Sequence, residues 1–225
     1  MERIPSGIPG LDELIGGGFP KGSVILVSGG PGTGKTTFGM QYLVGGAKVG
    51  DIGCFISFEE TPHRLLETFS KYKAWNLSEH VRKGKIILQR LEAFSFETLK
   101  GQIENLVDRF GISRLVVDSI TIIGLLLRDV FRLRRSIFDL SIMLRKVNVT
   151  TLLTSEAEED KLSTFGVEEY VVDGIIKLMR IKKGNSFLRY LAVVKMRGTS
   201  HSNKIHPLVF TDEGLKIYPE EEAIL

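Results

Sequence analysis

The stretch Val27-Ser28-Gly29-Gly30-Pro31-Gly32-Thr33-Gly34-Lys35-Thr36 decides the fold. Gly29, Gly34, Lys35 and Thr36 satisfy the pattern G-x-x-x-x-G-K-[ST] without a mismatch. Glycines let a backbone turn tightly, so that successive N–H groups point inward at phosphate oxygens. A helix following such a loop adds its N-terminal donors and dipole. The expectation is that Gly30, Pro31, Gly32, Thr33, Gly34, Lys35, Thr36 and Thr37 hold the phosphates of a nucleotide. Lys35 would bring a point charge to the β- and γ-phosphates, and the Thr36 hydroxyl would ligate Mg²⁺.

The flanks agree with the motif. Residues Ser23 to Ser28 read SVILVS, a short apolar run suited to a buried parallel strand. Beyond Thr36, Phe38, Gln41, Tyr42 and Leu43 continue without a breaker, and the spacing predicts a helix ending at Gly45-Gly46. Strand, glycine loop and helix is the order the motif requires.

The chain has 225 residues, enough for one well-cored domain, and no linker is visible. A single domain over 1–225 is the expectation, with residues 1–21 as an N-terminal packing segment. Apolar residues make up 43% and charged residues 25%, ordinary for a soluble globular protein. A formal charge of +3 does not by itself imply nucleic-acid binding. The longest apolar stretch, Ile120 to Leu127, is too short to span a bilayer, and the N-terminus lacks a signal-peptide core. The one cysteine, Cys54, reads as a small buried hydrophobe. Together these point to a cytoplasmic protein without a membrane partner.

Along the chain, strand and helix patterns alternate. DIGCFISFEE (Asp51 to Glu60) is a buried strand ending in two carboxylates. Pro62 to Lys73 reads as a helix with Pro62 near its start, and Lys85 to Gln89 as a strand. Phe96, Leu99, Ile103, Leu106 and Phe110 recur at helical steps, and Gly111 ends that helix. Ser113 to Asp118 is a strand, Val130 to Val147 a long helix, and Val149 to Thr154 a strand. Such alternation predicts an α/β fold with a mainly parallel sheet flanked by helices. From 173 to 219 the pattern changes to strands joined by turns at Lys183-Gly184-Asn185 and Thr211-Asp212-Glu213-Gly214. These are expected to extend the sheet in antiparallel fashion. Residues 1–21 carry Ile4, Ile8, Leu11, Leu14 and Phe19, which argue for packing against the body.

A nucleotide site needs more than its loop. Asp118 closes an apolar strand at the edge that faces the ligand crevice in an open α/β sheet, so it is the second candidate for Mg²⁺. Glu59 and Glu60 close another strand at the same edge and are candidates to orient or deprotonate water. If that strand persists they point to opposite faces, and either could be the base. Lys195 and Arg197, two residues apart, would share a strand face and form a cation fork suited to a polyphosphate. His63, His80, His201 and His206 lack the spacing of a zinc site, and Trp75 reads as core.

Beyond these single residues, IPGLDELIGGGFPKGS, SGGPGTGKTT, ISFEE, LVVDS and VVKMRGTSHS together resemble the KaiC family of the RecA-type ATPases. GVEEYVVDGIIKL and HPLVFTDEGLKIYP extend the resemblance to nearly the whole chain. The resemblance implies a RecA-like core that assembles into a homo-oligomeric ring, usually a hexamer, with ATP between neighbouring subunits. It implies that Glu59 and Glu60 are the catalytic carboxylate pair. It also implies that Lys195 and Arg197 reach the γ-phosphate in the adjacent subunit.

Three functions follow as expectations. The leading one is a Mg²⁺-dependent ATPase acting as a homo-oligomer. A second is a recombinase-like or helicase-like ATPase stimulated by DNA, suggested by Arg128, Arg132, Arg134 and Arg135, although a solvated helix start is the simpler reading. A third is an ATP-gated scaffold with slow turnover whose output is binding an unidentified protein partner. Autokinase activity is not expected. By resemblance to the clock protein's second domain, Glu169 and Tyr170 fall where a Ser-Thr acceptor pair would sit, with Ser163 and Thr164 a few residues upstream.

Overall fold

Along β3 (Val24–Gly29) apolar side chains alternate between two cores. Ile25 and Val27 join a cluster with Phe38 and Tyr42, while Val24 and Leu26 join one with Ile137 and Leu144. A strand buried on both faces belongs in the middle of a helix-covered sheet, and β3 sits there. The computed structural model describes residues 1–92, 95–127, 129–158 and 160–223.

Among the described residues, the N-terminal segment comprises β1 (Arg3–Ile4), α1 (Leu11–Leu14) and β2 (Phe19–Pro20), with β1 and β2 paired. After β3 come α2 (Lys35–Lys48), β4 (Gly53–Ser57), α3 (Pro62–Phe69), α4 (Leu77–Arg82) and β5 (Ile86–Arg90). Then follow α5 (Phe96–Phe110), β6 (Arg114–Asp118), α6 (Ile120–Leu127), α7 (Val130–Lys146) and β7 (Thr150–Glu156). The chain closes with α8 (Glu168–Val171), β8 (Gly174–Lys183), β9 (Ser186–Met196), β10 (Ile205–Thr211) and β11 (Gly214–Ile217). The main sheet runs β11-β10-β9-β8-β3-β7-β6-β4-β5. No described helix is long and apolar enough to cross a membrane.

The α/β reading holds, with one correction and one addition. First, α2 does not stop at Gly45-Gly46 but runs through them to Lys48. A methyl group on Gly46 would lie 2.3 Å from Arg114 Nε, and one on Gly45 would lie 2.5 Å from Gly7 Cα. These glycines let other groups approach the helix instead of ending it. Second, the C-terminal strands are antiparallel to one another, as expected, and join the parallel sheet through one strand. β8 is parallel to β3 on one side and antiparallel to β9 on the other. It is the strand where the parallel half of the sheet turns into the antiparallel half.

Local chemistry explains the helix starts. The Thr61 hydroxyl accepts the Arg64 N–H at 3.3 Å, and Pro62 opens α3 without wasting a donor. Ser95 caps α5 through the Thr98 N–H at 3.2 Å, and Gly111 ends it in the left-handed region. The apolar face of α5 buries Phe96, Leu99, Ile103 and Leu106, each worth about 1.5–3 kcal/mol. Sequence periodicity missed α4 and α6. The run Ile120 to Leu127 is apolar all round and shows no helical period.

The N-terminal segment is tied to the body by two arginines. Arg114, wholly buried, donates through Nη1 to the Pro5 carbonyl at 2.8 Å and through Nε to Asp51 at 2.7 Å. Arg3 bonds the Ile15 and Gly18 carbonyls and the Thr199 hydroxyl. Trp75 is core, stacked on Tyr72. Cys54 is buried, and burial pushes its thiol up to about 12.

Candidate functional site

The loop joining β3 to α2 is built on glycine backbone. Gly32 and Gly34 have φ of 71° and 108°, in the region that side chains disfavour. The Thr33 hydroxyl donates to the Gly30 carbonyl at 2.8 Å, which ties the loop to itself. Pro31 and Gly32 are exposed at its crest, while Thr36 and Thr37 lie half-buried in the first turn of α2. Lys35 folds back over the loop, its Nζ donating to the carbonyls of Gly29 at 2.8 Å and Gly30 at 3.1 Å.

Carboxylates gather on the same sheet edge. Sheet register sets Gly29 beside Glu156 on β7, and Ser57 on β4 beside Asp118 on β6. Asp118 accepts the Thr154 hydroxyl at 2.5 Å. Burial lowers the pKa of Lys35, against the pull of Asp118, Glu156 and Glu59, which favour its charged form.

Glu59 and Glu60 do not continue the strand. β4 ends at Ser57, whose hydroxyl accepts the N–H groups of Glu59 at 3.3 Å and Glu60 at 2.8 Å. The chain bends there, so strand alternation does not govern the two side chains. Glu59 is exposed, whereas Glu60 is half-buried with a buried Oε2 that has no hydrogen-bond partner.

Lys195 and Arg197 lie elsewhere. Gly29 pairs with Leu178 of β8, while Met196 pairs with Gly174 at the other end of that strand. The Arg197 N–H donates to the Asp173 carbonyl at 2.8 Å. From Leu178 back to Asp173 is five residues, about 16 Å along the strand. The two cations therefore sit at the far end of the sheet from the chain's own phosphate loop. Arg197 lies one residue past the end of β9, and the register irregularity of that strand falls at Val194, before both cations.

Three neighbours of the loop escaped the sequence reading. Glu156 ends β7 as Asp118 ends β6, so the same strand-end criterion would have found it. Arg189 donates through Nε to the Gly32 carbonyl at 3.0 Å and lies over the Phe210 ring at 4.7 Å. A methyl group on Gly34 would meet that ring at 2.8 Å. Arg189 and Phe210 come from strands far along the chain, and no local pattern marks them. The arginine cluster of α7 is only partly described. Arg128 lies outside the described residues, while Arg134 and Arg135 line a cleft of about 520 Å³ with Phe131, Phe138 and Tyr170.

A glycine loop between a central parallel strand and its helix, with carboxylates on the neighbouring strand ends, defines a P-loop NTPase of RecA-like fold. A family model described as "ATPase: KaiC" matches residues 4–222, and the chain belongs to the KaiC family. It is 34% identical over 233 residues to the circadian clock oscillator protein KaiC of Parasynechococcus marenigrum, covering 97% of this chain and 45% of that protein. The chain thus spans about half the length of the KaiC proteins it matches. A UPF0273 protein of Thermotoga maritima is 33% identical over 242 residues, covering 98% of each chain. The crystal structure of a KaiC-like protein from Pyrococcus horikoshii superposes with a TM-score of 0.89 at 38% identity, covering 97% of this chain and 99% of that one.

Proposed function

We propose that the protein is a Mg²⁺-dependent ATPase of one KaiC-like domain, working as a homo-oligomeric ring with ATP between subunits. The observation that carries this reading is the convergence of Lys35, Asp118, Glu156 and Glu59 on the edge that bears the glycine loop. Residues 30–37 would wrap the phosphates, with Lys35 leaving its loop carbonyls for phosphate oxygens. The Thr36 hydroxyl and the Asp118 carboxylate are the oxygen donors a small divalent cation prefers, and would hold Mg²⁺ directly or through its waters. The cation supplies charge neutralisation along the phosphate chain.

Of the two glutamates, Glu60 has a carboxylate oxygen without a partner, as suits a group waiting for a water. Glu59 lies close enough to Lys35 to act on its charge. The pair would orient and deprotonate the attacking water. Lys195 and Arg197 are too far from their own loop to serve it, which favours action on the nucleotide of a second copy. Heterologous contacts of that kind close into rings when the rotation between copies closes.

Phosphate release and particle size, each measured with and without Mg-ATP, test the reading. Turnover with ATP-dependent assembly is expected, and nucleotide-independent monomers without hydrolysis would sink it. A DNA-stimulated ATPase is the second reading, favoured by the cleft that sets Arg134 and Arg135 beside the exposed Phe131 and Phe138. Cations beside aromatic faces suit single strands. A rise in turnover on adding single-stranded DNA supports that reading, and an unchanged rate removes it.

A further inference from the structure

Three cations surround one carboxylate at the far end of the sheet. Arg145 on α7 donates to Asp173 through Nε at 3.0 Å and Nη2 at 2.9 Å. Arg197 Nη1 stands 3.5 Å from the same carboxylate. The Val24 N–H, at the start of β3, donates to it at 3.0 Å. Lys195 Nζ donates to the carbonyls of Glu169 at 3.1 Å and Val172 at 2.7 Å. The contacts are unequal. Arg145 makes a two-point fork, the strong geometry for this pair. Arg197 makes one long contact and keeps most of its five N–H donors. Lys195 spends two of its three.

We propose that Asp173, clamped by Arg145, is a positioning residue. It holds Arg197 directly and sits next in the chain to Val172, whose carbonyl holds Lys195, so that both cations can meet the phosphates on a second copy of the chain. The inference rests on the reading that these two cations act across a subunit boundary. Asp173 offsets the repulsion between the cations, and its bond to the Val24 N–H fixes them to the central strand. Arg145 occupies both carboxylate oxygens, so Asp173 does not neutralise Arg197 outright.

Mixed rings test it. Asp173→Asn retains an oxygen for the Val24 N–H and leaves the phosphate loop intact. Its homogeneous rings should lose about ten- to a hundredfold in turnover, the scale of one hydrogen bond to a charged group, while still binding ATP. Mixed with Lys35→Ala subunits they should recover, because one partner supplies the loop and the other the cations. Mixed with Arg197→Ala subunits they should not, because both lack the same half. A merely structural lesion would not sort by partner in this way. If Arg197→Ala with Lys35→Ala recovers but Asp173→Asn with Lys35→Ala does not, the positioning role is wrong and action in trans survives. If neither recovers despite proven mixing, the reading beneath it fails and takes this inference with it.

The pH profile gives a second readout. Lys195 is depressed by burial, then by Arg197 and Arg145, while Asp173 and Glu169 hold it up. It acts protonated, so turnover falls as pH rises through its pKa. Removing the Asp173 charge should start that fall at lower pH, and an unmoved limb would overturn the proposal. Should Asp173→Asn fail to fold, Arg145→Lys keeps the charge but loses the fork. It should give a milder loss with the same sorting in mixed rings, and wild-type turnover would count against the role.

Discussion

At the scale of single residues, the phosphate loop gives the sharpest expectations. Lys35 bonds loop carbonyls through its ammonium group, at Gly29 and Gly30, whereas Arg189 reaches the loop at Gly32. Lys35→Ala should abolish ATP binding or turnover, measured by titration calorimetry and phosphate release; wild-type values in both would refute the assignment. Replacing Glu59 and Glu60 together with Gln separates binding from chemistry. ATP should remain bound while hydrolysis slows by about a hundred- to ten-thousandfold, the range for a lost general base. Ser57 supports this test, because its hydroxyl holds the backbone N–H groups of both positions, which the substitutions do not touch. Turnover at the wild-type rate would return the pair to the solvated surface.

At the scale of elements, glycine has two meanings, and substitution separates them. Gly46 lies where α2 meets the buried Arg114, so Gly46→Ala should destabilise by roughly 1–3 kcal/mol, the usual cost of overpacking. Gly101 lies in α5 with nothing within 4 Å of an added methyl group, so Gly101→Ala should stabilise by about 0.5–1 kcal/mol. Urea midpoints read both, and equal midpoints would remove the distinction. The same contrast explains what the sequence could disclose. The loop was legible because its donors are consecutive and their spacing is covalent. Helix α5 was legible because its apolar face repeats at the helical period. Gly45-Gly46 misled because a glycine stop and a glycine contact look alike until Arg114 and Gly7 are brought to them. The direction of β8 was hidden for a related reason, since a strand becomes parallel or antiparallel only through its partner. Arg189 and Phe210 reach the loop from the antiparallel strands, and only the folded sheet brings them there.

At the scale of the whole molecule, the segment between β7 and β8 bears on self-modification, because it buries one of the three candidate hydroxyls and ties up another. Ser163 is buried, and its hydroxyl is held by Glu168 and Glu169. Thr164 is exposed, with its hydroxyl donating to the Glu156 carbonyl. Intact mass should not change after incubation with Mg-ATP. A gain of one phosphoryl group mapped to Ser163, Thr164 or Tyr170 would make the protein an autokinase. A last consequence follows from β8. One continuous strand passes the phosphate loop at Leu178 and the cation pair at Gly174. In a head-to-tail ring that strand is a ruler. If the protein works as the ring proposed above, the strand would help set the interval from one subunit's nucleotide to its neighbour's, at about 3.3 Å for each residue. A single residue inserted between those two marks would therefore put every site in the ring out of step at once.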